Sequence, residues 1–157
     1  MLDHGEINVS DTTNGLAQTI VEQDASVNDL FITVTTQPLS YFSSLSSSNY
    51  VLLPWQDNIN SVSEIYDFRV YSAFNGYPIP TFNKPVIIIL PFESYKTIGL
   101  KPADLRIAAY DSIKRRWNYL TTPLVVNIGN DTIATTVKSF TYFTVVTKPG
   151  VYAKNVK

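Results

Sequence analysis

The chain is expected to fold as an all-β protein, an antiparallel β-sandwich of about 8–10 short strands. Three observations predict this. Stretches of strand-like residues recur at short, fairly regular spacing, turn-forming residues separate them, and helix-compatible sequence is almost absent. The clearest stretch is Lys84 to Phe92, KPVIIILPF, in which Val86, Ile87, Ile88, Ile89 and Leu90 follow one another without a polar residue and a proline stands at each end. A run so short and so β-branched is a strand apolar on both faces, because Pro91 would interrupt a helix. Such a strand is expected to need cover on both sides, supplied by the segments before and after it.

Taken in order, residues 6–10 form a short strand, closed by the turn residues Asp11 to Gly15. Residues 16–23 make the first firm strand and 30–36 the second, where Ile32, Val34 and Thr36 alternate with Phe31, Thr33 and Thr35. The serine-rich stretch 40–49 reads as a packed surface loop, since Tyr41, Phe42 and Leu45 are embedded in it. Residues 49–55 suggest a short strand cut off by Pro54. A long strand over 64–74 places Tyr66, Phe68, Val70 and Phe74 on a core face, with Ile65, Asp67, Arg69 and Tyr71 opposite. Asn75-Gly76 turns the chain into the 85–90 strand.

After it, residues 93–100 amount to one helical turn or a loop, ended by Pro102. Residues 104–110 alternate Leu105, Ile107 and Ala109 against Arg106, Ala108 and Tyr110. A polar hairpin loop at 111–115 returns the chain through 116–120, with Trp117 and Tyr119 on one face. Residues 124–128 and 132–138 form another hairpin about Gly129-Asn130-Asp131, and 141–147 closes the fold. Residues 1–150 are read as a single sandwich domain and 151–157 as a C-terminal tail or linker.

Composition narrows the function classes. At 157 residues the chain buries roughly 70% of its unfolded surface and needs no disulfide or metal to do so. Charged residues make up only 16% and the net charge is −1, without the basic excess that phosphate backbones require, so nucleic acid is not an expected partner. The polar share is carried by Ser, Thr, Asn and Tyr, a balance typical of extracellular β-proteins. No apolar run approaches a membrane span, and residues 1–10 lack the order of a secretory signal, so the signal of an exported parent is expected outside this chain. Without cysteine there is no thiolate chemistry, with His4 alone a histidine-rich metal site has no residues to build it, and a Ser-His-Asp arrangement would have to draw on His4 at the N-terminal end. No cofactor is expected.

The series KPVIIILPF, DLRIAAYDSIKRRWNYL and VVNIGNDTIATTVKSFTYFTVV resembles the second half of the β-sandwich domain of ankyrins and netrin receptors, which also occurs in bacterial and archaeal surface proteins. Leu105, Ile107, Tyr110 and Trp117 occupy matching packing positions. The likeness covers about residues 60–147 well and 7–40 loosely, and it implies the fold rather than a ligand. Some members of that family cleave themselves at His-Phe-Ser, a hydroxyl attacking the preceding carbonyl while the histidine assists proton transfer. Here the matching tripeptide is Ser139-Phe140-Thr141. Ser139 stands where the base would be and takes up no proton near neutral pH, so the motif is degenerate and no self-cleavage is expected.

The remaining signals are weaker. Trp55 beside a proline and Trp117 at a charged hairpin are candidate sugar-stacking aromatics, although the resemblance makes Trp117 a packing residue. Asp24, Asp29, Asp57 and Asp131 are candidates to gather at one end of a sandwich around calcium, against the commoner reading of turn residues. Lys114-Arg115-Arg116 reads as a solvated turn, and the sequons at Asn8 and Asn130 as turn residues. The expectation is a non-catalytic structural or interaction module of a secreted or surface-anchored protein, with a protein partner or neighbouring domain and no membrane insertion. The alternative is a carbohydrate-binding module that takes a glycan on exposed aromatics.

Overall fold

A computed structural model of the chain describes residues 7–10, 17–21, 26, 29–37, 53–54 and 59–151. Ten strands follow one another in these residues: β1 (Ile7–Ser10), β2 (Gln18–Val21), β3 (Leu30–Gln37), β4 (Ser61–Ser72), β5 (Val86–Pro91), β6 (Leu105–Asp111), β7 (Arg116–Tyr119), β8 (Val125–Asn127), β9 (Thr132–Val137) and β10 (Tyr142–Thr147). The helix-compatible stretch reduces to two single 3-10 turns, Ser94–Lys96 and Pro102–Asp104. The strands form two antiparallel sheets of order β1-β2-β5-β9-β8 (sheet A) and β3-β4-β10-β6-β7 (sheet B). The architecture is the β-sandwich that the alternation predicts. The expected strand at 49–55 lies outside the described residues except for Leu53 and Pro54.

The main core lies between the sheets. Sheet A contributes Val86, Ile88 and Leu90 of β5 with Ile133 and Val137 of β9, while sheet B contributes Tyr66, Phe68 and Val70 of β4, Leu105 and Ile107 of β6, and Phe143 and Val145 of β10. Alternation along each strand delivers these side chains to one face. Phe68 meets Phe143 edge to face at 5.4 Å, a favoured arrangement of aromatic rings. Tyr66 ties the sheets together, its hydroxyl donating to the carbonyl of Pro91 at 2.9 Å.

Two expectations about cover are corrected. β5 buries Val86, Ile88 and Leu90 completely, but Ile87 and Ile89 on its other face are only half-buried. β10, by contrast, is buried on both faces, with Phe143, Thr144, Val145, Val146 and Thr147 all buried. Its second face belongs to a smaller cluster on the outside of sheet B, where Ile65, Ala108, Tyr110, Trp117 and Val146 lie under Ile59 and the half-buried Leu53. The residues leading into β4 therefore cover sheet B from outside. Phe74, expected on the core face of a strand reaching residue 74, is 89% exposed. The reason is that β4 ends at Ser72 and the chain turns over residues 73–75, with Gly76 at φ 76°.

β10 carries a bulge against β4 between Thr144 and Val146. The polar groups freed there are buried and satisfied: the hydroxyls of Ser61 and Ser63 bond that of Thr144, and the Val145 N–H donates to Ser63 Oγ at 2.8 Å. Among the described residues, the two non-glycine residues with left-handed backbone both close hairpins. Arg115 (φ 53°) ends the β6–β7 turn, where the Asp111 carboxylate accepts from the N–H groups of Ile113 and Lys114, and Asp131 (φ 52°) ends the β8–β9 turn.

Candidate functional site

The chain from Leu120 to Leu124 crosses from the β7 edge of sheet B to the β8 edge of sheet A, and Thr122 pins it to β9. Its hydroxyl lies 2.7 Å from that of Thr135, which in turn donates to the carbonyl of Pro123 at 3.0 Å. On either side of this crossover the seam of the sandwich opens. One groove, of about 680 Å³, runs past Pro102, Arg106, Pro123 and Val126. The other, of about 400 Å³, is lined by Pro85, Leu120, Val137 and Phe143 together with Ser139 and Thr141. Ser139 and Thr141 thus form part of the wall of a mainly apolar groove.

Within the tripeptide each residue has a structural task. Phe140 is half-buried and sits edge-on to Phe68 at 5.4 Å and to Phe82 at 5.0 Å. The Thr141 hydroxyl donates to the carbonyl of Tyr110 at 2.8 Å, and the Thr141 carbonyl accepts from the N–H of Phe68 at 3.1 Å. Ser139 is exposed. None of the three has a left-handed backbone. The segment is a latch that ties the start of β10 to β4 and to the end of β6.

Trp117 is not a surface aromatic. It is 2% exposed, and its ring packs 5.2 Å from that of Tyr110 in the outer cluster of sheet B. Residue alternation along β7 explains the burial: Arg116 and Asn118 point to solvent while Trp117 turns inward. Trp117 is thus placed as a packing residue rather than on an exposed surface. Trp55 lies outside the described residues, as do Asp24 and Asp57. Asp29 and Asp131 do not approach each other. The main-chain carbonyl of Asp29 accepts from Ala73 N–H just past the last residue of β4, whereas the main-chain carbonyl of Asp131 accepts from Phe92 N–H beyond β5, at the end where Glu93 N–H donates to the Val62 carbonyl near the start of β4. Among the described residues no three His, Asp or Glu side chains come together.

Sequence reasoning missed one polar cluster, on the outer face of sheet B. Asp67 is 5% exposed, and both of its carboxylate oxygens accept from Nε of Arg69, at 3.0 and 2.9 Å. Gln37 Nε2 lies 3.3 Å from the same carboxylate. Asp67, which donates nothing when ionised, holds the Arg69 guanidinium well above its usual pKa range, so the arginine is permanently charged. Thr33 stands opposite Arg69 and Phe31 opposite Tyr71 in the β3–β4 register, the two rings 6.4 Å apart. The signal in the sequence is the i, i+2 spacing of Asp67 and Arg69, which places both on one face of a strand. A third groove, about 290 Å³, lies at the end of the sandwich between Ser72, Asn75, Tyr77, Pro78 and Asn83.

Comparison of the chain with protein-family profiles and with curated protein sequences finds no match in either. No helix among the described residues is long and apolar enough to cross a membrane.

Proposed function

We propose that the chain is a non-catalytic β-sandwich module of a secreted or surface-anchored protein, serving a structural or interaction role toward a protein partner or a neighbouring domain. The observation that carries this reading is the latch at residues 139–141. The hydroxyl in the position of a nucleophile holds the Tyr110 carbonyl, and the aromatic beside it fills a gap between Phe68 and Phe82. Residues that would do chemistry in self-cleaving relatives of the family it resembles are here used for packing. The Ser, Thr, Asn and Tyr surface supports the extracellular setting. The test is a turnover assay of the purified chain on peptide, ester and glycoside substrates. No turnover is expected, and hydrolysis abolished by one acidic substitution overturns the reading.

A second reading, glycan binding, is favoured by the groove at the end of the sandwich. Tyr77 is 70% exposed beside the side-chain amides of Asn75 and Asn83, a pairing of aromatic platform and amide groups that suits a sugar ring. A glycan array separates the two: saturable binding lost in Tyr77→Ala, with folding intact, supports the glycan reading.

A further inference from the structure

β7 stops before it reaches the first residues of β6. The two strands pair from Ala108 to Asp111, and Leu120 N–H adds one bond to the Ile107 carbonyl at 2.8 Å. Strand geometry turns the Leu105 carbonyl to the same side as that of Ile107. No described strand pairs with it there. Arg106 fills the place. Its Nη1 donates to the Leu105 carbonyl at 2.7 Å and to the Ala103 carbonyl at 2.8 Å, which folds the side chain over the edge of β6. Both protons of Nη1 are then used, while the Nε–Nη2 edge of the guanidinium keeps its donors. Arg106 belongs to none of the ion pairs among the described residues, so a cation is held in a fixed orientation without a counter-charge.

This cation lies on the larger groove of the seam, whose volume of about 680 Å³ is within the range of small-molecule sites. Three segments line it: the turn leading into β6, the crossover, and Val126 of β8. The walls are largely apolar, with Leu120, Leu124 and Val126 only half-buried against the core. The Thr122 hydroxyl is taken up by that of Thr135 and by the Thr136 carbonyl. Arg106 is the one charged side chain among the described residues that line the groove.

We propose that the groove binds a small organic monocarboxylate, with its carboxylate on the Nε–Nη2 edge of Arg106 and its hydrocarbon body against Leu120, Leu124 and Val126. A planar guanidinium edge matches the paired oxygens of a carboxylate, and apolar walls match a hydrocarbon. One cation balances a monoanion, whereas a phosphate dianion would leave a charge uncompensated beside apolar walls. The smaller groove has Lys138 instead, an exposed ammonium on a flexible stem. The site rests neither on the extracellular setting nor on the absence of catalysis.

Octanoate and its neutral counterpart octanamide are the probes, each titrated into the isotopically labelled chain and followed by the amide resonances of Leu105, Leu120 and Val126. Saturable shifts with octanoate are expected, and octanamide should bind at least about tenfold more weakly, for want of a charge-assisted hydrogen bond. Two tryptophan substitutions at exposed rim positions locate the site. Ala103→Trp narrows this groove alone and is expected to weaken octanoate binding at least about tenfold, whereas Ser139→Trp narrows the smaller groove alone and should leave it unchanged. Arg106→Leu is expected to abolish the preference for octanoate over octanamide. That variant also uncaps the edge of β6, and should it fail to fold, the preference of the unaltered chain and the two tryptophan variants decide. Equal binding of the two probes, no saturation by octanoate below about 10 mM, or octanoate affinity that survives Ala103→Trp or is lost in Ser139→Trp overturns the proposal.

Discussion

The hydroxyl of Thr141 donates to the main-chain carbonyl of Tyr110 across 2.8 Å, and this bond ties the start of β10 to the end of β6. Its proton is directed to Tyr110 rather than to a base, and neither Phe140 nor Thr141 has a left-handed backbone. Introducing a histidine at position 139 alone therefore should not create self-cleavage. Ser139→His is expected to give a single species by intact mass after prolonged incubation at neutral pH. Two fragments meeting between Phe140 and Thr141 would show that the latch is looser than its geometry. Thr141→Val, which removes the donor, is expected to cost about 1 kcal/mol in urea unfolding.

Trp117 distinguishes packing from ligand contact. Trp117→Ala empties a site beside Tyr110 under the outer cover of sheet B, and a loss of about 3–5 kcal/mol is expected. That is a large share of the roughly 5–15 kcal/mol of a typical domain, so poor soluble yield should accompany it. Trp117→Phe keeps most of the buried ring and should unfold at denaturant concentrations close to those of the unaltered chain. A ligand-contacting tryptophan would behave the other way, with stability unchanged by either substitution.

Most strands were legible because their two faces differ in polarity. Leu105 and Ile107 against Arg106, and Ile133, Thr135 and Val137 against their neighbours, reveal both the strand and its buried side. Periodicity failed where a face is covered by irregular chain. Ile59 and Leu53 belong to no repeating pattern, so nothing in the sequence announces that they cover β10 from outside. It failed also at the start of β4, which the alternation begins only at residue 64, whereas Ser61 and Ser63 lie in the strand and their hydroxyls bond that of Thr144 at the bulge. The uniform run of β5 hid the opposite error, since five apolar residues in a row cannot show which alternate ones are inside.

β5 therefore gives a clean contrast between neighbours. Ile88 is fully buried between the sheets, and Ile88→Ala is expected to cost about 3–4 kcal/mol through lost burial and the cavity left behind. Ile87, on the half-covered face beside Thr136, should lose only about 1 kcal/mol as Ile87→Ala. Urea unfolding of both variants checks the order. Equal losses would mean that both faces of β5 are covered, as the sequence alone suggests.

Asp104 supplies a pH dependence with a defined sign. The N–H of Lys101 donates to its carboxylate at 2.9 Å and Lys148 Nζ lies 3.3 Å away, and these hold its pKa below the usual carboxylate range. A carboxylate whose folded pKa is depressed adds stability above its unfolded pKa and loses it as pH falls through the folded one. Asp104→Asn should therefore lower the Tm near neutral pH. The gap from the unaltered chain should close as pH is lowered from about 7 to about 2. A gap that stays constant over that range would show that the carboxylate charge contributes nothing.

Asp67 and Arg69 form the one ion pair in which a carboxylate is nearly sealed from solvent among the described residues. Losing the cation leaves Asp67 with the weaker donor Gln37, so Arg69→Leu should destabilise the fold. Full burial of both partners would set that cost at about 3–5 kcal/mol, but the Arg69 side chain is 46% exposed and water screens the pair, which reduces the expectation to about 1–2 kcal/mol. Asp67→Asn removes the charge that needs compensation while keeping a side chain able to bond Gln37. The double variant Asp67→Asn with Arg69→Leu should then be more stable than Arg69→Leu alone. A double-mutant cycle by urea unfolding reads the coupling directly. Additive losses would mean that Asp67 is neutralised by something other than Arg69, and the permanently charged guanidinium on the outer face of sheet B would be free to serve a ligand instead of the fold.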